Sequence, residues 1–336
     1  MIQARFEHRR RTAAIFGRAE HDNRVRGARF VFDRLPRNFA GHPAQGEAQR
    51  NQGREQEDRP RPYNRVTKLQ QNYDYLMLTL TSARNPLLKE VRRAVQRGSL
   101  TDSGLAVAEG FHLLEEALRS DCEIEVVLVA ESVRTALTRH IGGLRQIRVH
   151  VAEDPLLREI AATETSQGVI ALVRPPAWNI EHLFRDQSLL MILDGVQDPG
   201  NVGAILRAAE AFGATGAALL KGSVNPYNPK ALRASAGSVF RLPLLTGVDD
   251  DLLRASIQQR RLNLYAAMPR AEVAVSECDF KSPCAILIGG EGQGVRSRLR
   301  GAGLDIRIPI NGVESLNAAM AAGILLYEAR RQRTLQ

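Results

Sequence analysis

The alternation of apolar and polar positions along the chain predicts a first helix shortly after Met77. Asn85 and Pro86 form a helix-start signal, and apolar residues then recur at helical spacing until Gly98. The other face of this helix carries Lys89, Arg92, Arg93 and Arg97. Two interpretations of that face stay open, a solvated surface and a stripe that contacts phosphate groups.

Strand-like and helix-like segments alternate further along the chain. The predicted strands are Leu105–Glu109, Ile124–Ala130, Ile147–Val151 and Val169–Val173, and the predicted helices are Phe111–Arg119, Val133–His140 and Pro155–Ala161. Strands separated by helices predict a small α/β domain over residues 77–173. The pair Pro175–Pro176 and the polar residues that follow predict a linker over 174–187.

A second α/β domain is predicted over residues 188–336. It opens with the uninterrupted apolar stretch Leu189–Leu193, which is typical of a buried parallel strand. Apolar residues from Val202 to Phe212 then follow helical spacing, and Gly213 ends that helix. Later elements are the predicted strands Ala217–Leu220, Ala285–Ile288 and Asp305–Pro309, and a terminal helix from about Leu316 to Arg331.

Residues 1–76 differ from the rest in composition. They are rich in Arg, Gln, Asn, Glu and Pro, and the stretch 40–64 has almost no large apolar residue. Such a segment cannot bury enough apolar surface to offset its ordering entropy, which predicts a disordered basic extension. An alternative stays open, in which Met77 is the real start and the upstream part is an artefact of start-site assignment.

Composition and charge narrow the class of protein. With 336 residues, 44% of them hydrophobic and 25% charged, the sequence is typical of a soluble globular protein, and no apolar stretch is long enough for a membrane helix. The net charge is +9, but residues 1–76 contribute 16 basic and 9 acidic residues, so charge alone does not establish nucleic-acid binding. Three scattered cysteines and the absence of a secretory signal favour the cytoplasm.

Three segments of the second domain carry candidate chemistry. The first is Asp198–Arg207, where a buried strand turns into a helix, the place at which open α/β sheets bind ligands; we expect Asn201 to cap this helix. The second is the glycine-rich loop Gly289–Gly294, which contains Glu291 and follows an apolar strand. The third is Ile306–Asn317, where Ser315 and Asn317 lie at the start of the last helix.

Several other chemistries are disfavoured. The glycine spacing is not that of a nicotinamide-binding loop, and no phosphate-binding loop of the Walker type is present. All seven histidines lie at or before His182, so a Ser–His–Asp hydrolase would need a distant histidine. Cys278 and Cys284 have no nearby histidine, so no metal site is predicted.

Together the three segments resemble the SPOUT methyltransferases of the SpoU/TrmH family, which methylate ribose 2′-hydroxyls of RNA. The matching residues are Asn201-x-Gly-x-x-x-Arg207, Gly289-Gly-Glu-Gly-Gln-Gly294 and Ile308-Pro-Ile-Asn-Gly-Val-Glu-Ser315-Leu-Asn317, and the stretch Asn228–Pro243 is also similar. The resemblance implies a C-terminal α/β trefoil-knot domain preceded by a small L30e-like α/β domain that binds the RNA substrate. It also implies a homodimer with its site near the subunit interface.

The resemblance further implies S-adenosylmethionine as cofactor, bound by Gly289, Gly290, Gly292, Ile308, Pro309 and Leu316. The catalytic candidates are Asn201, Arg207, Glu291, Ser315 and Asn317. The family proposal makes Arg207 the base, but a guanidinium stays protonated, so we expect it to clamp a phosphate. Asn201, Ser315 and Asn317 would hold Arg207 and the ribose, and Glu291 would orient the arginine or the cofactor.

Ribosomal RNA is the favoured substrate, since some tRNA-specific relatives lack the first domain. Three alternatives stay open: a tRNA 2′-O-methyltransferase, a Rossmann-type methyltransferase with 289–294 as its cofactor loop, and a non-catalytic RNA-binding module. A Rossmann cofactor loop follows the first strand of its sheet, whereas this loop follows a late one. The presence of Asn201, Arg207, Ser315 and Asn317 argues against a silent module.

Overall fold

The computed structural model describes residues 78–140, 147–296 and 298–334, so the predictions for residues 1–76 lie outside the described residues. The first part is an α/β unit. Its elements are β1 (Leu78–Leu80), α1 (Pro86–Arg97), β2 (Ala106–Glu109), α2 (Phe111–Arg119), β3 (Ile124–Ala130), α3 (Arg134–His140), β4 (Arg148–Ala152), α4 (Asp154–Ile160) and β5 (Val169–Val173). The sheet order is β1-β4-β3-β5-β2, with β5 antiparallel to both of its neighbours.

Helix α1 forms where its sequence signals predict it. The Asn85 side chain accepts a hydrogen bond from the Leu87 backbone N–H at 2.9 Å, and Gly98 ends the helix in the left-handed conformation at φ 61°. On the polar face, Arg92 pairs with Glu159 at 2.7 Å, and Arg93 and Arg97 pair with Asp102 at 2.9 and 2.7 Å. These three arginines therefore already have acidic partners within the chain.

The second part is built on one entirely parallel sheet. Its elements are β6 (Leu189–Asp194), α5 (Pro199–Ala211), β7 (Gly216–Leu220), α6 (Pro229–Ser235), β8 (Leu244–Val248), α7 (Asp250–Gln259), β9 (Asn263–Ala267), β10 (Val273–Ala274), β11 (Cys284–Gly289), β12 (Leu304–Arg307) and α8 (Ala318–Thr334). The order is β10-β12-β9-β11-β6-β7-β8. The chain adds β7 and β8 on one side of β6 and then crosses to the other, so the sheet changes winding direction at β6 and β11.

The structure corrects some sequence-based boundaries. Helix α5 begins at Pro199 and is capped by Asp198, so the expectation that Asn201 caps it was wrong; Asn201 lies in the first turn. Asp198 takes this role because its side chain accepts the Asn201 backbone N–H at 2.9 Å. The segment 174–187, predicted as a linker, contains the 3₁₀ turn Ile180–Leu183, and Leu183 is buried in the core of the second sheet.

A charged cluster connects the two sheets. Arg241 donates from Nη1 to Glu116 Oε2 on α2 at 2.6 Å, and from Nε and Nη2 to Glu210 on α5 at 2.5 and 3.0 Å. Burial raises the pKa of the Glu210 carboxyl, but the hydrogen bonds from Arg241 and Ser238 and the charge of Arg241 together outweigh burial and hold that pKa below its usual value. One arginine therefore neutralises two carboxylates and holds α2 against α5.

We expect Arg241→Ala to lower the free energy of unfolding by about 2 kcal/mol, because Glu210 loses its arginine donor and the buried Glu116 is left with Arg119. Urea denaturation of the full chain measures this loss. The matched control is Arg254→Ala, which breaks the exposed pair with Asp251 at 3.0 Å and should cost about 0.5 kcal/mol or less. Equal losses in the two variants would contradict the bridging role of Arg241.

Candidate active site at the carboxyl ends of the central strands

The glycine-rich loop is fixed by the end of β6. Strand β11 pairs with β6 so that Gly289 lies opposite Asp194, and the Gly290 backbone N–H donates to the Asp194 carbonyl at 3.0 Å. The buried Asp194 carboxylate accepts the Arg296 backbone N–H at 2.5 Å, and the Gly294 N–H donates to the Gly290 carbonyl at 2.8 Å. The loop is thus held at both ends and closed across its middle.

Two glycines of this loop are required by its own packing. A Cβ on Gly289 would lie 2.0 Å from the carbonyl carbon of Gly294, and a Cβ on Gly290 would lie 2.3 Å from the carbonyl oxygen of Gly195. A Cβ on Gly292 would meet no atom within 4 Å. The close approach at Gly289 and Gly290 is therefore between protein backbones.

An apolar pocket opens beside the loop and contains about 710 Å³ free of protein atoms, part of it open to solvent. Its walls come from the carboxyl ends of β9, β11 and β12 and from α8. Of the predicted cofactor residues it is lined by Gly289, Gly290, Ile308 and Leu316, whereas Gly292 and the exposed Pro309 do not line it. Sequence reasoning missed Ala267, Met268 and Pro269, which also line it, because β9 was not predicted.

Three predicted side chains meet at the rim of this pocket. Asn201 Nδ2 donates to Glu291 Oε1, and Asn317 Nδ2 donates to the same oxygen at 2.9 Å and to Asn201 Oδ1 at 3.1 Å. Asn317 Oδ1 accepts the backbone N–H groups of Ala319 and Met320 at 2.9 and 3.2 Å and so caps α8. The carboxylate sets the orientation of both amides, because each donates its NH₂ group to Glu291.

Asp198 and Lys230 support this cluster from behind, and sequence reasoning had assigned neither a role. Lys230 Nζ on α6 donates to Asp198 Oδ2 at 3.0 Å, while Asp198 Oδ1 accepts the Asn201 backbone N–H. The hydrogen bond from Asn201, followed by that from Lys230, lowers the pKa of the Asp198 carboxyl. The helix cap therefore stays ionised and fixes the turn that carries Asn201.

The other two predicted catalytic residues stand apart from the hydrogen-bonded cluster. Ser315 is exposed and lines the apolar pocket, and it makes no hydrogen bond in the described part of the chain. Arg207 is exposed on α5 and has no hydrogen-bond or ion-pair partner among the described residues. The expected contacts of Asn201, Ser315, Asn317 and Glu291 with Arg207 are therefore not seen within one chain.

Two other features are absent from residues 78–140, 147–296 and 298–334. No group of three or more His, Cys, Asp or Glu side chains there is arranged to hold a metal ion. Within the same ranges, no helix combines the length and the apolarity needed to cross a membrane.

Comparison with known proteins connects this geometry to a family. Residues 188–327 match the SpoU rRNA Methylase family, and residues 85–171 match the MRM3-like substrate binding domain. An uncharacterized tRNA/rRNA methyltransferase of Synechocystis sp. is 33% identical over 264 residues, covering 76% of this chain and 94% of the relative. The 23S rRNA (guanosine(2553)-2′-O)-methyltransferase RlmP of Bacillus subtilis is 30% identical, with coverages of 76% and 100%.

Solved structures agree with these matches. The SpoU methyltransferase AviRb from Streptomyces viridochromogenes, in complex with the cofactor AdoMet, superposes with a TM-score of 0.68 at 26% identity, covering 75% of this chain and 99% of AviRb. The AdoMet-bound rRNA methyltransferase from Sinorhizobium meliloti superposes with a TM-score of 0.65 at 30% identity, with coverages of 76% and 98%. The chain therefore belongs to the SpoU rRNA methylase family, with a substrate-binding domain ahead of its methylase domain.

Proposed function

We propose that this protein transfers a methyl group from S-adenosylmethionine to a ribose 2′-hydroxyl of RNA, and that the RNA is ribosomal. The observation that carries the proposal is the meeting of Asn201, Glu291 and Asn317, from three distant segments, at the rim of an apolar pocket. Relatives named as 23S rRNA 2′-O-methyltransferases, among them RlmP and RlmB, favour ribosomal RNA over tRNA.

The pocket suits S-adenosylmethionine in its shape and lining. Its lining is mostly apolar with a few polar groups at the rim, as is usual for cofactor sites. The side chains of Ile308, Leu316 and Leu325 offer apolar surface to an adenosyl group, and Ser315 and Glu291 offer polar atoms at the rim. When bound, S-adenosylmethionine supplies a methyl group already activated by its sulfonium sulfur.

The protein then has to position the ribose and handle its proton. Glu291 Oε1 holds the amides of Asn201 and Asn317, whereas Oε2 has no hydrogen-bond partner among the described residues. Oε2 is therefore available to accept a hydrogen bond from the ribose hydroxyl. The amide of Asn201, which is already held by Glu291, orients the ribose. A preorganised arrangement of this kind lowers the barrier mainly through positioning.

Arg207 clamps an RNA phosphate in this proposal. Its guanidinium is exposed and without a partner among the described residues, and a guanidinium that stays protonated cannot act as a base. Since Arg207 makes no hydrogen bond or ion pair with the cluster among the described residues, it is free to complete the site of a second subunit in a homodimer.

Three family properties belong to the same proposal. Helix α8 exposes Met320 (59%) and Tyr327 (56%), which is apolar surface suited to the homodimer interface. The loops after β9, β11 and β12 all gather around one pocket, which supports the trefoil knot of the family fold. The free cysteines Cys122, Cys278 and Cys284 are in keeping with a cytoplasmic enzyme.

The first test is direct mapping of 2′-O-methyl groups in RNA from cells with and without this gene. We expect one ribose in ribosomal RNA to lose its methyl group when the gene is absent and to regain it when the purified protein and S-adenosylmethionine are added. A lost methyl group in tRNA would move the substrate to tRNA, and an unchanged methylation pattern would contradict the proposed function.

The second test concerns the cofactor loop. Gly289→Ala should weaken S-adenosylmethionine binding more than tenfold, or about 1.4 kcal/mol, since the added Cβ pushes Gly294 away and distorts the pocket wall. Gly292→Ala in the same loop is the matched control and should bind normally, because its Cβ points into open space. Calorimetric titration measures both, and equal affinities would remove the loop from the cofactor site.

The third test concerns Arg207. Arg207→Ala should reduce single-turnover methyl transfer by about 10²–10³ while leaving the melting temperature and the S-adenosylmethionine affinity close to wild type. Arg207→Lys should recover little, because an ammonium group cannot reproduce the planar, two-pronged contact. Near-normal turnover in a folded, cofactor-binding Arg207→Ala protein would exclude Arg207 from the reaction.

A further inference from the structure

A second cavity lies on the opposite side of the glycine-rich loop from the apolar pocket. It is formed by Gly195–Asp198 after β6 and by Gly290–Gly294 with Arg296 after β11, and we call it the loop cavity. It contains about 600 Å³ free of protein atoms, part of it open to solvent. Glu291 lines both the loop cavity and the apolar pocket, so one carboxylate stands between the two.

The loop cavity contains the guanidinium of Arg296, and the carboxylates of Asp198 and Glu291 line the same cavity. Arg296 Nη1 donates to Gln293 Oε1 at 2.5 Å, and Arg296 forms no ion pair with any residue that the structure describes. Gly195, at φ 67°, leaves room for this group, because a Cβ there would lie 2.6 Å from Arg296 Nη2. The guanidinium is thus hydrogen-bonded to a neutral amide, and most of its donors are unused among the residues that the structure describes.

Arg296 and Gln293 lie side by side, and the groups of theirs that remain unused are hydrogen-bond donors. Nε and Nη2 of Arg296 have no hydrogen-bond partner among the described residues, and the Gln293 amide has its NH₂ group left because its oxygen is engaged. They fit a ligand that presents two neighbouring acceptors. Guanine does so with O6 and N7, whereas adenine and cytosine place an amino donor at the corresponding edge.

We propose that the loop cavity binds a guanine base, that of the nucleotide whose ribose is methylated, with Arg296 and Gln293 donating to O6 and N7. The inference rests on the proposed function, because it is Glu291 that joins this cavity to the cofactor pocket. A base held on one side of the loop brings its ribose to the carboxylate that faces the cofactor on the other side. The ribose 2′-hydroxyl and the methyl group of the cofactor then meet at Glu291. The base is recognised before the methyl group is transferred.

The test is equilibrium binding of GMP, AMP, CMP, UMP and inorganic phosphate to the full chain, followed by NMR. We expect GMP to bind about tenfold or more tighter than AMP and CMP, and Arg296→Met or Gln293→Leu to abolish that preference. Arg298→Met is the matched control: it removes the same charge two residues further on, outside the loop cavity, and should leave GMP binding unchanged. Thermal melting confirms that each variant is folded.

Three outcomes would overturn the guanine assignment. They are equal binding of all four nucleotides, equal binding of GMP and inorganic phosphate, and equal loss of GMP binding in the Arg296→Met and Arg298→Met variants. Methyl transfer to RNA, measured on the same proteins, separates this inference from the proposed function. A guanine preference without any methyl transfer would support the base site and contradict the proposed function. Methyl transfer without a guanine preference would support the proposed function and contradict the base site.

Discussion

The site depends on the parallel pairing of β6 with β11. These strands are far apart in the sequence, yet their six paired residues place Gly289 beside Asp194 at the carboxyl edge of the sheet. A buried carboxylate is costly unless its oxygens are hydrogen-bonded, and Asp194 meets this condition by accepting the Arg296 backbone N–H. The same interaction fixes the end of the glycine-rich loop, so the acidic residue and the loop geometry depend on each other.

The glycine-rich loop lies between the apolar pocket and the loop cavity, so that one loop contacts both an apolar and a polar environment. On one side lie the apolar walls formed by Ile308 and Leu316, and on the other lie the donors of Gln293 and Arg296. Glu291 contacts both and is held by two amides whose own segments lie 90 and 26 residues away. A site assembled from such distant segments forms only when the whole sheet has formed, which couples catalytic geometry to global folding.

The last helix carries this coupling across the sheet. Asn317 caps its start at the carboxyl edge, while near its end Arg333 donates to the carbonyls of Phe280 at 2.7 Å and Ser188 at 2.9 Å, beside the amino ends of β11 and β6. With 17 residues, α8 is about 26 Å long and therefore reaches from one edge to the other. The start of the helix is therefore fixed by its cap, and its end is fixed by hydrogen bonds to carbonyl groups outside the helix.

The sequence by itself determined those helices and strands that are marked by signals within a few neighbouring residues. Capping residues, glycines and apolar spacing located α1, β3, β5 and β6 almost to the residue, because each signal acts within one or two turns of the chain. They also brought out Asn201, Glu291 and Asn317 as polar residues in turn-rich segments. Strands β8 and β9 gave no comparable pattern and were not predicted; the middle of β8 is exposed. The pocket wall at Met268, which follows β9, was missed for the same reason.

Only the tertiary structure decided which residues act together. That Asn201 and Asn317 share one carboxylate and that Arg207 lies outside the cluster depend on strand order and helix packing. The loop cavity follows from the backbone of Gly195 passing close to Arg296, which belongs to a different strand connection. Such contacts join segments about a hundred residues apart, and periodicity within a short window carries no information about them.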